Sequence, residues 1–193
     1  LLPLKSSVNG YIIEGGTASN VIPEYASCEF CIRGDKVKDL LVVEAALNRA
    51  IETANTLFGT TAKTQSGLMY TERYSNRMMD ETFKKHLEEM GEMVEYPSPT
   101  MKYGSSDIGN VSLEVPTIQP YLKIGDGDSH THEFMEAAKS PYGLEQAVKG
   151  AKALALTACD ILESAQLQKE IKDEFEKTVP GYTREELGYH SQF

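Results

Sequence analysis

No stretch of the sequence approaches the roughly 20 consecutive apolar residues that a helix needs to cross a bilayer, so a membrane span is not expected. The opening, Leu1-Leu2-Pro3-Leu4-Lys5, lacks the charged-then-apolar build of a signal peptide. A soluble chain is expected. Cysteine is scarce: three residues in 193, an odd number, are too few for a secreted disulfide framework and favour a cytoplasmic location. Basic side chains are in deficit as well. Nineteen Lys and Arg against twenty-nine Asp and Glu leave a formal charge of −10, a sign that repels phosphate backbones and anionic lipid. Neither nucleic acid nor a membrane is an expected partner. The phosphate-loop patterns GxGxxG and GK[ST] are missing. An initiating Met is missing too, which fits a piece of a longer protein.

What is present is an ordinary globular balance, 40% apolar and 25% charged, long enough for one large or two small units with a buried core. Val8–Glu14 and Tyr25–Arg33 read as strands joined by a glycine-containing loop. From Lys36 to Phe58, apolar residues at Val37, Leu40, Leu41, Ala45, Leu47, Ile51, Ala54 and Phe58 predict a helix stopped by Gly59. Thr60–Thr71 reads as a further strand. Strand, strand, helix, strand is three quarters of an α+β split βαβ (ferredoxin-like) unit without its first strand and helix. Asp80 is the expected cap of a helix bearing Phe83, Leu87 and Met90 and closed by Gly91. A brief strand at Met93–Tyr96, before Pro97 and Pro99, and another at Thr117–Ile124 are expected. A long core-packed helix follows from Gly143 through Leu162 and Ala165, with a charged extension to Lys177 and a stop at Pro180-Gly181. The division falls at residues 1–72 and 73–193.

Cys28-Glu29-Phe30-Cys31 has the spacing of a metal knuckle or redox pair, but strand alternation turns its two cysteines to opposite faces, and a second such pair is lacking. A structural role is expected for both, and a core position for Cys159 in the long helix. His86, in a charged helix, and His190, in a polar tail, read as solvated. His130 and His132 sit in Gly125-Asp126-Gly127-Asp128-Ser129-His130-Thr131-His132-Glu133-Phe134, dense in groups that bind zinc or manganese, or else a polar loop that caps the next helix. Gly104-Ser105-Ser106-Asp107 either directs backbone N–H groups at an anion or caps a helix. In Gly15-Gly16-Thr17-Ala18-Ser19-Asn20-Val21-Ile22-Pro23, Asn20 either donates to a carboxylate or stabilises a turn.

Taken together, three of these segments in this order resemble one family. The Gly15–Pro23 loop, followed by a strand ending in Ile32-Arg33, is similar to the lid or dimerisation domain of the metal-dependent aminoacylase and carboxypeptidase family. Gly104-Ser105-Ser106-Asp107-Ile108-Gly109-Asn110-Val111-Ser112, then Val115-Pro116 and His130-Thr131-His132-Glu133-Phe134, resembles the last third of its α/β metallopeptidase-type catalytic domain. The subgroup is that of aminobenzoyl-glutamate and N-acyl-amino-acid amidohydrolases. The resemblance covers most of residues 8–165. It implies amide hydrolysis of an N-acyl amino acid or small peptide at a centre of two divalent metals, zinc or manganese, in which a glutamate takes the proton of the attacking water. It also implies a homodimer through the lid.

Residue by residue, His130 matches a metal-binding histidine, with His132 at a variable position. Asn20 matches the lid asparagine that contacts substrate, Arg33 a lid arginine suited to a carboxylate, and Gly104 and Ser105 a loop lining the substrate pocket. The remaining metal ligands, the paired glutamates and the lid histidine of the family have no counterparts in this sequence. One histidine does not hold a catalytic metal, so the expectation is the C-terminal part of such an enzyme, inactive alone and without catalytic residues of its own. The alternative is a non-catalytic dimerisation or binding module derived from that family.

Overall fold

The computed structural model describes residue 3, residues 5–98 and residues 104–187. Pro99, His190 and the end of the tail that runs to Phe193 lie outside those residues. The chain divides into two units, Leu1–Glu72 with Thr183–Phe193, and Arg73–Tyr182.

In the first unit, residues rich in Val, Ile, Tyr and Phe favour extended backbone. Strands β1 (Ser7–Glu14) and β2 (Ser27–Arg33) pair antiparallel, with an irregularity between Ile12 and Glu14. The register sets Val8 against Ile32, Asn9 against Cys31, Gly10 against Phe30 and Tyr11 against Glu29. Alternation then gives one apolar face of Val8, Ile12, Cys28, Phe30 and Ile32, and one polar face of Ser7, Asn9, Tyr11, Glu29, Cys31 and Arg33. Position 10 has to be glycine, because a Cβ would run into the Phe30 ring and sit 2.8 Å from the Glu29 carbonyl oxygen.

Helix α1 (Val37–Phe58) follows. Its first N–H groups have no partner inside the helix; that of Val37 donates to Glu72 Oε2 at 2.9 Å. Val37, Leu40 and Val43 form the buried stripe. Gly59 ends the helix in the left-handed region (φ 65°), as its position in the sequence suggests. The strand expected over Thr60–Thr71 does not form, and among the described residues the sheet has two strands. Asn55 captures the chain at the start of that segment: its backbone oxygen accepts from Thr60 N–H (3.2 Å) and its side chain from Ala62 N–H (2.9 Å). Backbone groups satisfied locally in this way are not available to a ladder. What is observed is an α+β arrangement of strand, strand and helix, smaller than the expected unit.

The second unit is helical among its described residues: α2 (Arg77–Glu89), α3 (Ile108–Glu114), α4 (His132–Lys139), α5 (Pro141–Glu163) and α6 (Ala165–Thr178). Neither Met93–Tyr96 nor Thr117–Ile124 is a strand. Val94, Ile118 and Leu122 from those segments pack instead on the core of Phe83, Leu87 and Ala153. Apolar burial keeps the two segments in place without ladder pairing.

Helix α2 starts at Asn76 and not at Asp80. Asn76 Oδ1 accepts from Met79 N–H at 3.2 Å, while its Nδ2 donates to the Ile171 carbonyl at 3.0 Å. Glu174 adds a carboxylate at the same end, accepting from Arg77 N–H (2.9 Å) and Met78 N–H (3.0 Å), where the helix dipole favours negative charge. Asp80 lies a turn further in and accepts from Ser75 Oγ at 2.6 Å.

The expected single long helix is two. Ser164 interrupts it, its hydroxyl accepting from Leu167 N–H at 3.2 Å to cap α6. The buried stripe of α5 runs through Gly143, Gln146, Gly150, Ala153 and Thr157. Cys159 falls off that stripe and is exposed, contrary to the core position expected of it. His86 is the opposite correction. It is 6% exposed, on the same stripe as Phe83 and Leu87, with Nε2 2.8 Å from Asp160 Oδ2 and Nδ1 3.5 Å from Glu89 Oε2.

Candidate functional site

In the first unit, the Gly15–Pro23 loop folds against itself. Gly16 adopts φ 100°, beside the Pro23 ring, and Val21 N–H donates to the Ala18 carbonyl at 3.3 Å, which places Asn20 inside the turn. The Asn20 side chain is exposed and makes no side-chain hydrogen bond among the described residues. Arg33 closes β2 opposite Ser7, exposed and without an ion pair among the described residues.

Next to it on the polar face lies a shallow depression of about 250 Å³ lined by Asn9, Gly10, Tyr11, Glu29 and Cys31. Tyr11 donates its hydroxyl to Glu29 Oε2 at 3.2 Å. That hydrogen bond, then the carboxylate's charge, raises the Tyr11 pKa above its ordinary value. Sequence reading gave Glu29 no role, since the Tyr11–Glu29 pair depends on the register of two strands. Cys28 and Cys31, exposed and free, face opposite sides as alternation requires.

In the second unit, Gly104 and Ser105 are exposed residues leading into α3. Asp107 occupies the cap position without a side-chain capping bond; Ser106 Oγ instead accepts from Ile108 N–H at 3.3 Å. The helix is anchored by a residue that carried no signal, buried Ser112, which accepts from Tyr74 N–H (3.0 Å) and donates to the Gly109 carbonyl (2.7 Å).

His130 stands immediately before α4, at φ 69°. A left-handed residue with a side chain costs about 1–2 kcal/mol, and such strain collects at functional sites. The surroundings enforce it. Thr131 caps α4 by accepting from Phe134 N–H at 3.2 Å, and its hydroxyl donates to the Asp128 carbonyl at 2.6 Å. A Cβ at Gly127 would lie 2.6 Å from Phe134 N. The loop therefore packs directly on the helix start, leaving His130 exposed at its turn. His132 opens α4 and faces Glu136 at 3.6 Å, a solvated pair.

Asn20 and Arg33 thus belong to one unit, and Gly104, Ser105 and His130 to the other. Among the described residues, no group of three or more His, Cys, Asp and Glu side chains is arranged to hold a metal ion. By themselves these residues do not fit a two-metal centre. His130 offers one imidazole.

Residues 2–56 match the family model of the peptidase dimerisation domain. The matched residues fall within the first unit. The chain is 30% identical over 174 residues to Xaa-Arg dipeptidase of Homo sapiens, covering 87% of this chain and 39% of that protein. It is 31% identical over 174 residues to Xaa-Arg dipeptidase of Mus musculus, covering 87% of this chain and 40% of that protein. The chain thus spans 39–40% of the length of these curated relatives.

Proposed function

We propose that the protein to which these residues belong is a metal-dependent amidohydrolase that cleaves an N-acyl amino acid or a small peptide with a free carboxylate. The observation that carries this reading is similarity to a dipeptidase over 87% of the chain. That stretch is too long to fall within either unit alone. The strained, exposed His130 adds a structural reason to look for chemistry at the start of α4. In this reading residues 1–72 are part of the lid and residues 73–193 part of the catalytic domain. Asn20 contacts the substrate's carboxylate or oxyanion and Arg33 its carboxylate, where a guanidinium fork suits two carboxylate oxygens. Gly104 and Ser105 line the pocket. His130 is one metal ligand, zinc or manganese being the ion it suits, and the other ligands and the general base lie in sequence outside these residues. The peptidase dimerisation domain favours a homodimer with closed two-fold symmetry.

The test is His130→Ala in the longer protein, with metal content and amide hydrolysis measured together. Both are expected to fall. Unchanged occupancy and rate would sink the assignment of His130. In parallel, zinc or manganese added to the 193-residue chain alone is expected to bind without a tight stoichiometric end point, and such an end point would show that the ligand set is complete within it.

A further inference from the structure

We propose that the outward face of helix α5 is where a second copy of this chain docks, the two helices packing antiparallel about a two-fold axis level with Lys149 and Gly150. The inference stands on the helix itself and does not rest on the proposed hydrolysis. The contact is separate from a dimer through the dimerisation domain.

Three observations carry it. First, α5 buries its small and polar residues and exposes its large apolar ones. The buried stripe is Gly143, Gln146, Gly150, Ala153 and Thr157, whereas Leu144, Val148 and Leu154 are 58%, 54% and 49% exposed. At 3.6 residues per turn those three and the exposed Ala147, Ala151 and Ala155 fall in one arc of about 120°. No charged residue of α5 lies in that arc. An apolar stripe of this width on a helix is a packing face. Second, the spacing selects another helix as its occupant. Leu144, Val148, Ala151 and Ala155 are separated by four, three and four residues, the 3.5-residue repeat with which two helices pack knobs into holes. Third, the face complements itself in one register. The two-fold axis sets Leu144 opposite the partner's Ala155, Val148 opposite the partner's Ala151 and Leu154 beside the partner's Ala147, so each bulky side chain meets a methyl group. The same register brings Glu145, on the flank, to the partner's Lys152, twice by symmetry. Glu145 and Lys152 are both exposed. Lys149 lies 3.1 Å from Glu145 and 2.6 Å from Glu92, so it keeps a counter-charge when Glu145 turns to the second copy. The seam from Leu144 to Ala155 is about 17 Å long. A contact this short falls at or below the roughly 1,000 Å² of a stable interface, so the dimer is weak.

The experiment is sedimentation equilibrium of the 193-residue chain over a range of concentrations. A monomer–dimer equilibrium is expected with a midpoint of about 100 μM, weaker than the micromolar limit of standard-sized interfaces. Val148→Glu, which puts a charge from each copy into the seam, should remove the dimer. Lys152→Glu and Glu145→Lys should each weaken it about tenfold, the factor of two exposed ion pairs lost at once. The double variant, with both charges exchanged, should restore the wild-type midpoint. All three positions are exposed, so the variants keep the fold, which circular dichroism checks. A chain that stays monomeric through that range overturns the proposal. So does a dimer that survives Val148→Glu, which would then belong to the dimerisation domain, or a pair of charge variants that the double exchange does not rescue. In the longer protein, association that ignores Val148 and Lys152 would mean that sequence outside these residues occupies the face, and overturns the proposal as well. The readout does not depend on hydrolysis.

Discussion

The two units are held by different means. In the first, no residue of β1 or β2 is buried, and order rests on a backbone ladder and the short buried stripe of α1. In the second, helices are tied by side chains reaching across sequence: Asn76 to Ile171, Glu174 to Arg77 and Met78, Gln146 and Lys149 to Glu92. A backbone ladder asks little of the side chains on either sheet face, so the hairpin can present Asn9 and Arg33 outward. A side-chain network commits those groups to the fold. Substitutions should therefore be costly in the second unit and mild on the hairpin.

The largest expected difference compares Asn76→Ala with Phe30→Ala. Asn76 is 4% exposed and supplies both a helix cap and a buried bond to Ile171. Losing the cap and leaving a buried carbonyl unpaired costs about 3 kcal/mol. Phe30 is 46% exposed over Gly10, and truncating it removes a half-solvated cross-strand contact worth about 1 kcal/mol or less. Amide hydrogen exchange, which reads each unit separately, checks this. Comparable losses of protection in the two units would mean that the hairpin is held by contacts of its own side chains.

The same contrast explains what could be read from the sequence. Helix α1 was legible because its period and Gly59 are local signals. The strands expected at Thr60–Thr71, Met93–Tyr96 and Thr117–Ile124 were not reliable, because a strand requires a partner and composition does not supply one. Asp80 was mistaken for the cap of α2 because Asn76 gains its advantage from Ile171, ninety-five residues away. Ser164 was a legible cap hidden by the apolar pattern on its N-terminal side. His86 was legible in principle, at three residues after Phe83 and next to Leu87. Its partner Asp160, on α5, was not. Among the candidate residues, the local positions of Asn20, Arg33 and His130 follow from a turn, a strand end and a helix start. The Tyr11–Glu29 pair needed the register.

A middle-sized test holds side chains constant. Gly59 ends α1 and Gly91 follows α2, at φ 65° and φ 84°, and a Cβ at either would meet nothing within 4 Å. Alanine at each therefore adds only left-handed strain, about 1 kcal/mol. Equal costs in denaturant unfolding are expected. A much smaller cost at Gly59 would show the end of α1 fraying before the rest of its unit unfolds, which would sharpen the contrast with the cross-braced α2.

The smallest effect concerns a place where the network of the second unit works against itself. Asp80 has its pKa raised chiefly by burial, with the nearby Glu174 adding to the rise, while the Ser75 hydrogen bond and Arg73 pull the other way. A raised carboxyl means that the folded state holds the proton more tightly than the unfolded chain does. Ionisation therefore destabilises the fold: wild-type stability is lost as pH rises from the ordinary aspartate value of 3.8 through the raised folded-state value. Asp80→Asn keeps an oxygen for Ser75 Oγ and removes the charge. The variant should be slightly more stable than wild type at neutral pH, and the two should converge below pH 3.8. Urea unfolding at a series of pH values measures the gap. A variant less stable than wild type at neutral pH would mean that the Asp80 charge contributes more at the N-terminus of α2 than its burial and the neighbouring Glu174 take away.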